Sequence, residues 1–268
     1  MINILSSTAD SPSDLFIESS REDGQDNLDW LAANMPEGDK LTLLAMVGGV
    51  SPVALRLRFA QSHLRHDLEP SSWSHVFMLG RPAKNLASTL LYEISLEPAA
   101  GFGFPPPNNA VQKGRLGQYR DPASFPNIAV LSIPVDQKEV LKALKRFQMQ
   151  RAVLDSLELL LHWLAYGWGV GRSDNPLLDG RGIPSAAMLE VVFGAVGYDL
   201  TPGLESRSSC PEAIWQAAKW WHDYYKSENR TGPVGAFHVP HRLQRLEDSI
   251  QTKKSARAST KSKKQLAT

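Results

Sequence analysis

The stretch that most constrains this chain runs from Arg207 to Lys226, Arg-Ser-Ser-Cys-Pro-Glu-Ala-Ile-Trp-Gln-Ala-Ala-Lys-Trp-Trp-His-Asp-Tyr-Tyr-Lys. Pro211 suits the first position of a helix, where a missing N–H costs nothing. Ser208, Ser209 or Cys210 then serves as the cap, and Glu212 falls in the first turn, where the helix dipole favours a negative charge. Ile214, Ala217, Ala218, Trp221 and Tyr225 recur at helical spacing and predict one apolar face. The only cysteine of the chain, Cys210, is therefore expected at the amino end of a packed helix. Free N–H groups there favour the thiolate, the reactive form. The plainer alternative is a thiol acting as a small core hydrophobe.

The other segments predict a mixed α and β domain. Apolar, β-prone runs at 40–47, 73–80, 88–95 and 127–134 read as strands, with 73–80 and 88–95 forming a hairpin. Segment 232–239 is a late strand candidate. Helical periodicity covers about 136–147, 152–166 and 183–196, and a short turn at 27–34. The run after Ser51-Pro52 fits helix or strand. Residues 62–72 and 100–117 read as loops. Gly167-x-Gly169-x-Gly171 follows a helical pattern rather than a strand, so it reads as a flexible loop, not a phosphate cradle.

With 42% hydrophobic and 21% charged residues in 268, the composition is that of a globular protein. A single cysteine excludes an internal disulfide framework and fits a reducing compartment. Met1–Asp29 holds seven acids and one Arg, unlike a secretory signal. The apolar run 152–171 carries Asp155, Glu158 and His162, so it reads as a buried helix rather than a membrane span. The expected location is the cytoplasm, or export without a classical signal peptide. Gln251–Thr268 has six Lys or Arg and no acid, leaving 23 bases against 28 acids elsewhere. Residues 1–26 are expected to be a disordered acidic leader and 251–268 a disordered basic tail, suited to weak contact with an anionic partner. The last five residues resemble part of a core-histone tail, a match too short to weigh.

A nucleophilic thiol needs a base and a group that orients the base. His63 and His66 lie in a polar stretch, and His162 sits on an apolar helix. His222 is three helical turns from Cys210. His238 and His241 are outside candidates, and the one histidine pair at metal-ligand spacing. His75 stands out on a β-prone run, where alternation puts Trp73, His75 and Phe77 on one face. Glu93, an acid inside the next apolar run, can then accept from the second ring nitrogen and fix its tautomer; the alternative is a solvent-facing Glu93.

The Gly38-Asp39 turn and strand, Ser74-His75-Val76, Glu93 on the following strand, and Cys210-Pro-Glu-Ala-Ile at a helix start together resemble the permuted papain-like group of the NlpC superfamily, especially YiiX-like amidases. The resemblance covers about residues 36–246. Pro211 departs from the family's usual Cys-Ser-Glu-Leu-Val, and the 135-residue interval from His75 to Cys210 is long. It implies an α+β, circularly permuted papain-like fold: a small antiparallel sheet packed on a central Cys-bearing helix, in one domain of 27–250 with a helical insertion at 152–196. It also implies a Cys210–His75–Glu93 triad that cleaves an amide, peptide or isopeptide, with Cys210 within about 3–4 Å of His75. No metal or organic cofactor is required. The substrate would be a peptide, a peptidoglycan-like molecule or an acyl group. Acyl transfer or lipid ester cleavage at the same site is the alternative, the tryptophans offering an acyl groove, and a non-catalytic interaction module is a third.

Overall fold

In the computed structural model the described residues are 16–36, 38, 40–97, 109–150, 155–171, 173–228, 230 and 232–243. The leader before Phe16, the tail after residue 243 and Asp39 lie outside them.

The two longest strands, β2 (Thr42–Gly48) and β6 (Asn127–Ile133), are buried along their whole length. Their near-continuous apolar runs suit strands covered on both faces. They form the centre of one seven-stranded sheet, which also contains β1 (Phe16–Glu18), β3 (His75–Leu79), β4 (Leu90–Glu93), β5 (Gln112–Arg115) and β7 (Val234–His238). The order is β1-β7-β6-β2-β3-β4-β5, antiparallel throughout except for the parallel β1–β7 pair.

Among the described residues there are six α-helices: α1 (Asn27–Asn34), α2 (Pro52–Ala60), α3 (Gln137–Met149), α4 (Ser156–Trp168), α5 (Pro184–Gly194) and α6 (Pro211–Ser227). The pleat sends Leu44, Met46, Val76 and Met78 into a large core with α2 to α6. Leu43, Ala45, Val47, Phe77 and Leu79 point the other way, under α1 and the turn at 116–119.

Several expectations are corrected here. Residues 16–26, assigned to the leader, are tied down: β1 pairs with β7, and the Trp30 indole donates to the Ser19 carbonyl at 2.8 Å. The run after Ser51 is a helix, because Ser51 accepts from the Ala54 N–H at 3.0 Å and Pro52 starts the first turn. Within 100–117, residues 98–108 lie outside the described set, but 112–115 form strand β5. α4 and α5, in the stretch 152–196, pack in the main core: Ser185 on α5 donates to the Val76 carbonyl on β3 at 2.6 Å and accepts from the Ile94 N–H. The glycine run read as a loop begins at the end of α4, where Gly169, at φ 67°, is the left-handed C-cap. Finally, α5 on β3 makes the main helix-to-sheet packing, followed by α1 on β6 and α3 on β2, while α6 reaches the sheet through Trp215, whose ring lies 5.4 Å from that of Phe237 on β7.

Candidate functional site

The hairpin expected from sequence brings His75 and Glu93 together. The register pairs Leu79 with Leu91 and Met78 with Tyr92, which sets Glu93 next to Phe77 and diagonal to His75 on the same face. A carboxylate side chain spans that diagonal. The His75 Nε2–H donates to Glu93 Oε2 at 2.8 Å. The acceptor holds a proton on Nε2 and leaves Nδ1 as the open ring nitrogen. Nδ1 has no hydrogen-bond partner among the described residues.

Glu93 is itself held from two further directions. The Tyr119 hydroxyl donates to the same Oε2 at 2.6 Å, and the Gln118 amide donates to Oε1 at 2.7 Å. Burial, followed by the neighbouring Glu93 charge, keeps the Tyr119 hydroxyl well above its ordinary pKa, so it acts as a donor. Tyr119 stacks on Phe77 with centroids 4.5 Å apart, and Asn27 on α1 donates to its carbonyl at 3.0 Å. Neither Gln118 nor Tyr119 was singled out in the sequence. Both follow β5, a strand whose Gln-Lys-Gly-Arg carries no apolar alternation. The available signal was a Gln-Tyr pair closing a short segment before a clear strand.

His75 is 13% exposed at its side chain, against 2% for Glu93. The ring opens on a small cleft of about 40 Å³, lined by His75, Ser74, Leu57, Ile94, Phe125 and Ile183 among others. A much larger groove, about 930 Å³, lies at the other end of the sheet by Leu41, Arg81 and Gln137 and holds none of the expected site residues.

Cys210 is placed differently from expectation. It is the N-cap of α6, with φ −147° and ψ 166°, but it is fully buried. It packs in the five-helix core with Trp73, Val76 and Met78, whereas His75 shares the opposite layer with Phe77 and Tyr119. No hydrogen bond joins the sulfur to His75 or Glu93. Burial pushes the thiol up to about 12, outweighing the N–H groups of Ala213 and Glu212 that pull it down; the nearby Glu212 charge adds to the rise. The sulfur makes no capping hydrogen bond of its own.

Trp73 is corrected as well. The strand starts at His75, after Ser74 turns back to donate to the Val47 carbonyl at 3.1 Å and accept from the Gly49 N–H at 3.0 Å. Trp73 therefore faces the five-helix core, its ring 5.0 Å from that of Trp215.

The surroundings of Cys210 are strongly cross-linked. Ile183 and Gly182 donate their N–H groups to the carbonyls of Ser209 and Arg207. Glu212 accepts from Ser71 Oγ at 2.6 Å, from Gln216 and from Arg65, while its own N–H donates to Gln61 Oε1 at 2.8 Å. Of the remaining histidines, His222 is buried with Nδ1 on the Pro233 carbonyl, and His241 contacts Arg58. Among the described residues no group of three His, Cys, Asp or Glu side chains could hold a metal ion. No helix among them is long and apolar enough to cross a membrane.

No protein-family model, curated protein or solved structure matches the chain.

Proposed function

We propose that this protein is a cysteine-nucleophile hydrolase with a permuted papain-like fold, in which His75 is the base, Glu93 orients it and Cys210 attacks an amide carbonyl. The supporting observation is the His75–Glu93 contact at 2.8 Å, in which Glu93 holds one ring nitrogen and leaves the other open beside a cleft. A buried carboxylate supplied with three donors is a stable orienting group, the role the third member of a triad fills.

In this scheme Nδ1 takes the thiol proton, and the thiolate adds to the carbonyl carbon. The backbone N–H of Cys210 helps stabilise the oxyanion. The amine leaves with the proton held on His75, and a thioester forms at Cys210. Water then attacks the thioester, giving one proton to His75 and releasing the acid as the thiol is restored. Since Cys210 is buried and unjoined to His75 in the free protein, this chemistry requires the start of α6 to shift when substrate binds. An activated ester would enter the same steps, which keeps ester cleavage or acyl transfer within the proposal.

A second reading follows from the buried thiol: a non-catalytic module in which Cys210 fills core space and the His75–Glu93 pair is structural. A panel of peptide amides, isopeptides and acyl esters separates the two. The hydrolase reading expects turnover that falls by roughly 10²–10⁴-fold in His75→Ala and is lost in Cys210→Ala. Turnover of no member of the panel, or equal turnover by Cys210→Ala, favours the module.

A further inference from the structure

Helix α4 is apolar on both faces, although the described chain covers only one of them. Ser156–Trp168 holds one acid, one histidine and no Lys or Arg. Leu159, Leu160, Trp163 and Leu164 are buried in the core. A helix that is hydrophobic all round is ordinarily covered all round. Yet Leu157 is 42% exposed, Leu161 52% and Trp168 62%. At about 3.6 residues per turn these positions, i, i+4 and i+11, fall within roughly 40° of arc, so they form one straight stripe. The neighbouring α2 and the short turn Pro176–Asp179 pack against α4, and each carries a further exposed apolar side chain, Phe59 and Leu178. Five large exposed hydrophobics on three touching elements are a patch rather than the single, scattered residues usual on a surface.

The charges at the two ends of α4 indicate what covers the stripe. Asp155 and Glu158 are exposed at its amino end. Arg56 on α2 is exposed at its carboxyl end, where it donates to the Tyr166 carbonyl at 2.9 Å and is in no ion pair among the described residues. One end is therefore acidic and the other basic. Such a stripe complements itself when two copies meet antiparallel across a two-fold axis. An axis at the level of residues 162–163 would set Leu157 against the second copy's Trp168. It would bring the two Leu161 side chains together and turn Glu158 toward the second copy's Arg56. A membrane surface suits the patch less well, because Asp155, Glu158 and the exposed Asp179 would meet anionic headgroups.

We propose that the Leu157–Leu161–Trp168 stripe is the interface of a symmetric homodimer, with α4 packed antiparallel on α4 of the second copy and Arg56 meeting Glu158 at each end. One helix pair with its flanks is a small interface, so a dissociation constant on the order of 1–100 µM is expected.

Sedimentation equilibrium of the full chain across that concentration range tests the interface. The parent is expected to pass from its monomer mass of 29.6 kDa to twice that mass. Leu161→Glu, at an exposed position, is expected to keep the parent's circular dichroism and melting temperature at low concentration and to stay monomeric throughout. Arg56→Glu and Glu158→Arg are each expected to weaken the dimer roughly tenfold, since a two-fold axis counts each contact twice. The double variant exchanges the two charges and is expected to recover the parent's affinity, a rescue that unspecific adhesion of an apolar patch would not give. A parent that stays monomeric, a Leu161→Glu variant that dimerises like the parent, or a double variant no tighter than the single ones overturns the interface. A monomeric parent that binds phosphatidylcholine vesicles overturns it too and assigns the stripe to a bilayer.

Discussion

Tyr119 Oη donates at 2.6 Å to Glu93 Oε2, the same oxygen that accepts from His75 Nε2 at 2.8 Å. One carboxylate oxygen therefore couples the ring of a residue beyond β5 to a histidine two strands away. Tyr119→Phe removes the hydroxyl and keeps the stack on Phe77. Loss of one hydrogen bond to a buried charged group is expected to cost about 1.5–3 kcal/mol in urea unfolding. It is also expected to shift the His75 ring ¹⁵N resonances, because Nε2 becomes the main partner of that oxygen. Unchanged resonances would mean that Tyr119 does not act on His75.

The pH dependence of stability reports on Cys210. Its thiol is raised from an ordinary value of 9 to about 12, chiefly by burial. The folded state therefore keeps a proton that the unfolded chain releases between those values. The contribution is fully present below pH 9 and is lost as pH rises toward 12. In urea melts from pH 8 to 11, the parent is expected to lose stability more steeply than Cys210→Ala. Parallel curves would show a thiol that ionises freely in the folded protein.

Arg58 is fully buried, and no carboxylate is among its hydrogen-bond partners. It donates to the Ser71 carbonyl at 2.8 Å and the His241 carbonyl at 2.8 Å, and meets His241 Nδ1 at 3.0 Å. Asn127 bonds both the N–H and the carbonyl of His241. These contacts pin the end of the described chain to the sheet. Arg58→Met leaves buried carbonyls without a donor and is expected to cost roughly 1–3 kcal/mol. Burial, then the Arg58 charge, lowers the His241 pKa below 6.5. A neutral ring is thus favoured in the fold, so its contribution is full above pH 6.5 and lost as pH falls through the folded value. Proteolysis after β7 is expected to quicken in acid in the parent, and to lose that pH dependence in His241→Ala, which keeps the backbone contacts to Arg58 and Asn127. A pH-independent parent would rule out the His241 contact as the restraint.

Local chemistry explains which parts of this fold could be read from sequence. Pro211 and Cys210 fixed the start of α6, and the hairpin pattern put Glu93 within reach of His75, because capping and strand alternation are short-range rules. Trp73 was assigned to the wrong face because the strand begins two residues later, at a turn set by the contact of Ser74 with Val47 and Gly49. β5 was missed because Gly114 and its charged neighbours acquire strand geometry from pairing with β4 rather than from their own pattern. The depth of Cys210 was also not legible. It depends on how α5 and the turn before α6 pack together in the core that holds Val76 and Trp73, a long-range outcome that helix-start chemistry does not encode.

The most direct test of thiol catalysis is to trap the acyl-enzyme. The full chain is mixed with an activated acyl ester, quenched in acid within seconds, and read by intact and peptide mass spectrometry. A thiol hydrolase driven by His75 and Glu93 predicts one acyl group on Cys210 in the parent and far less in His75→Ala. An unmodified Cys210, or equal acylation in His75→Ala, would contradict it.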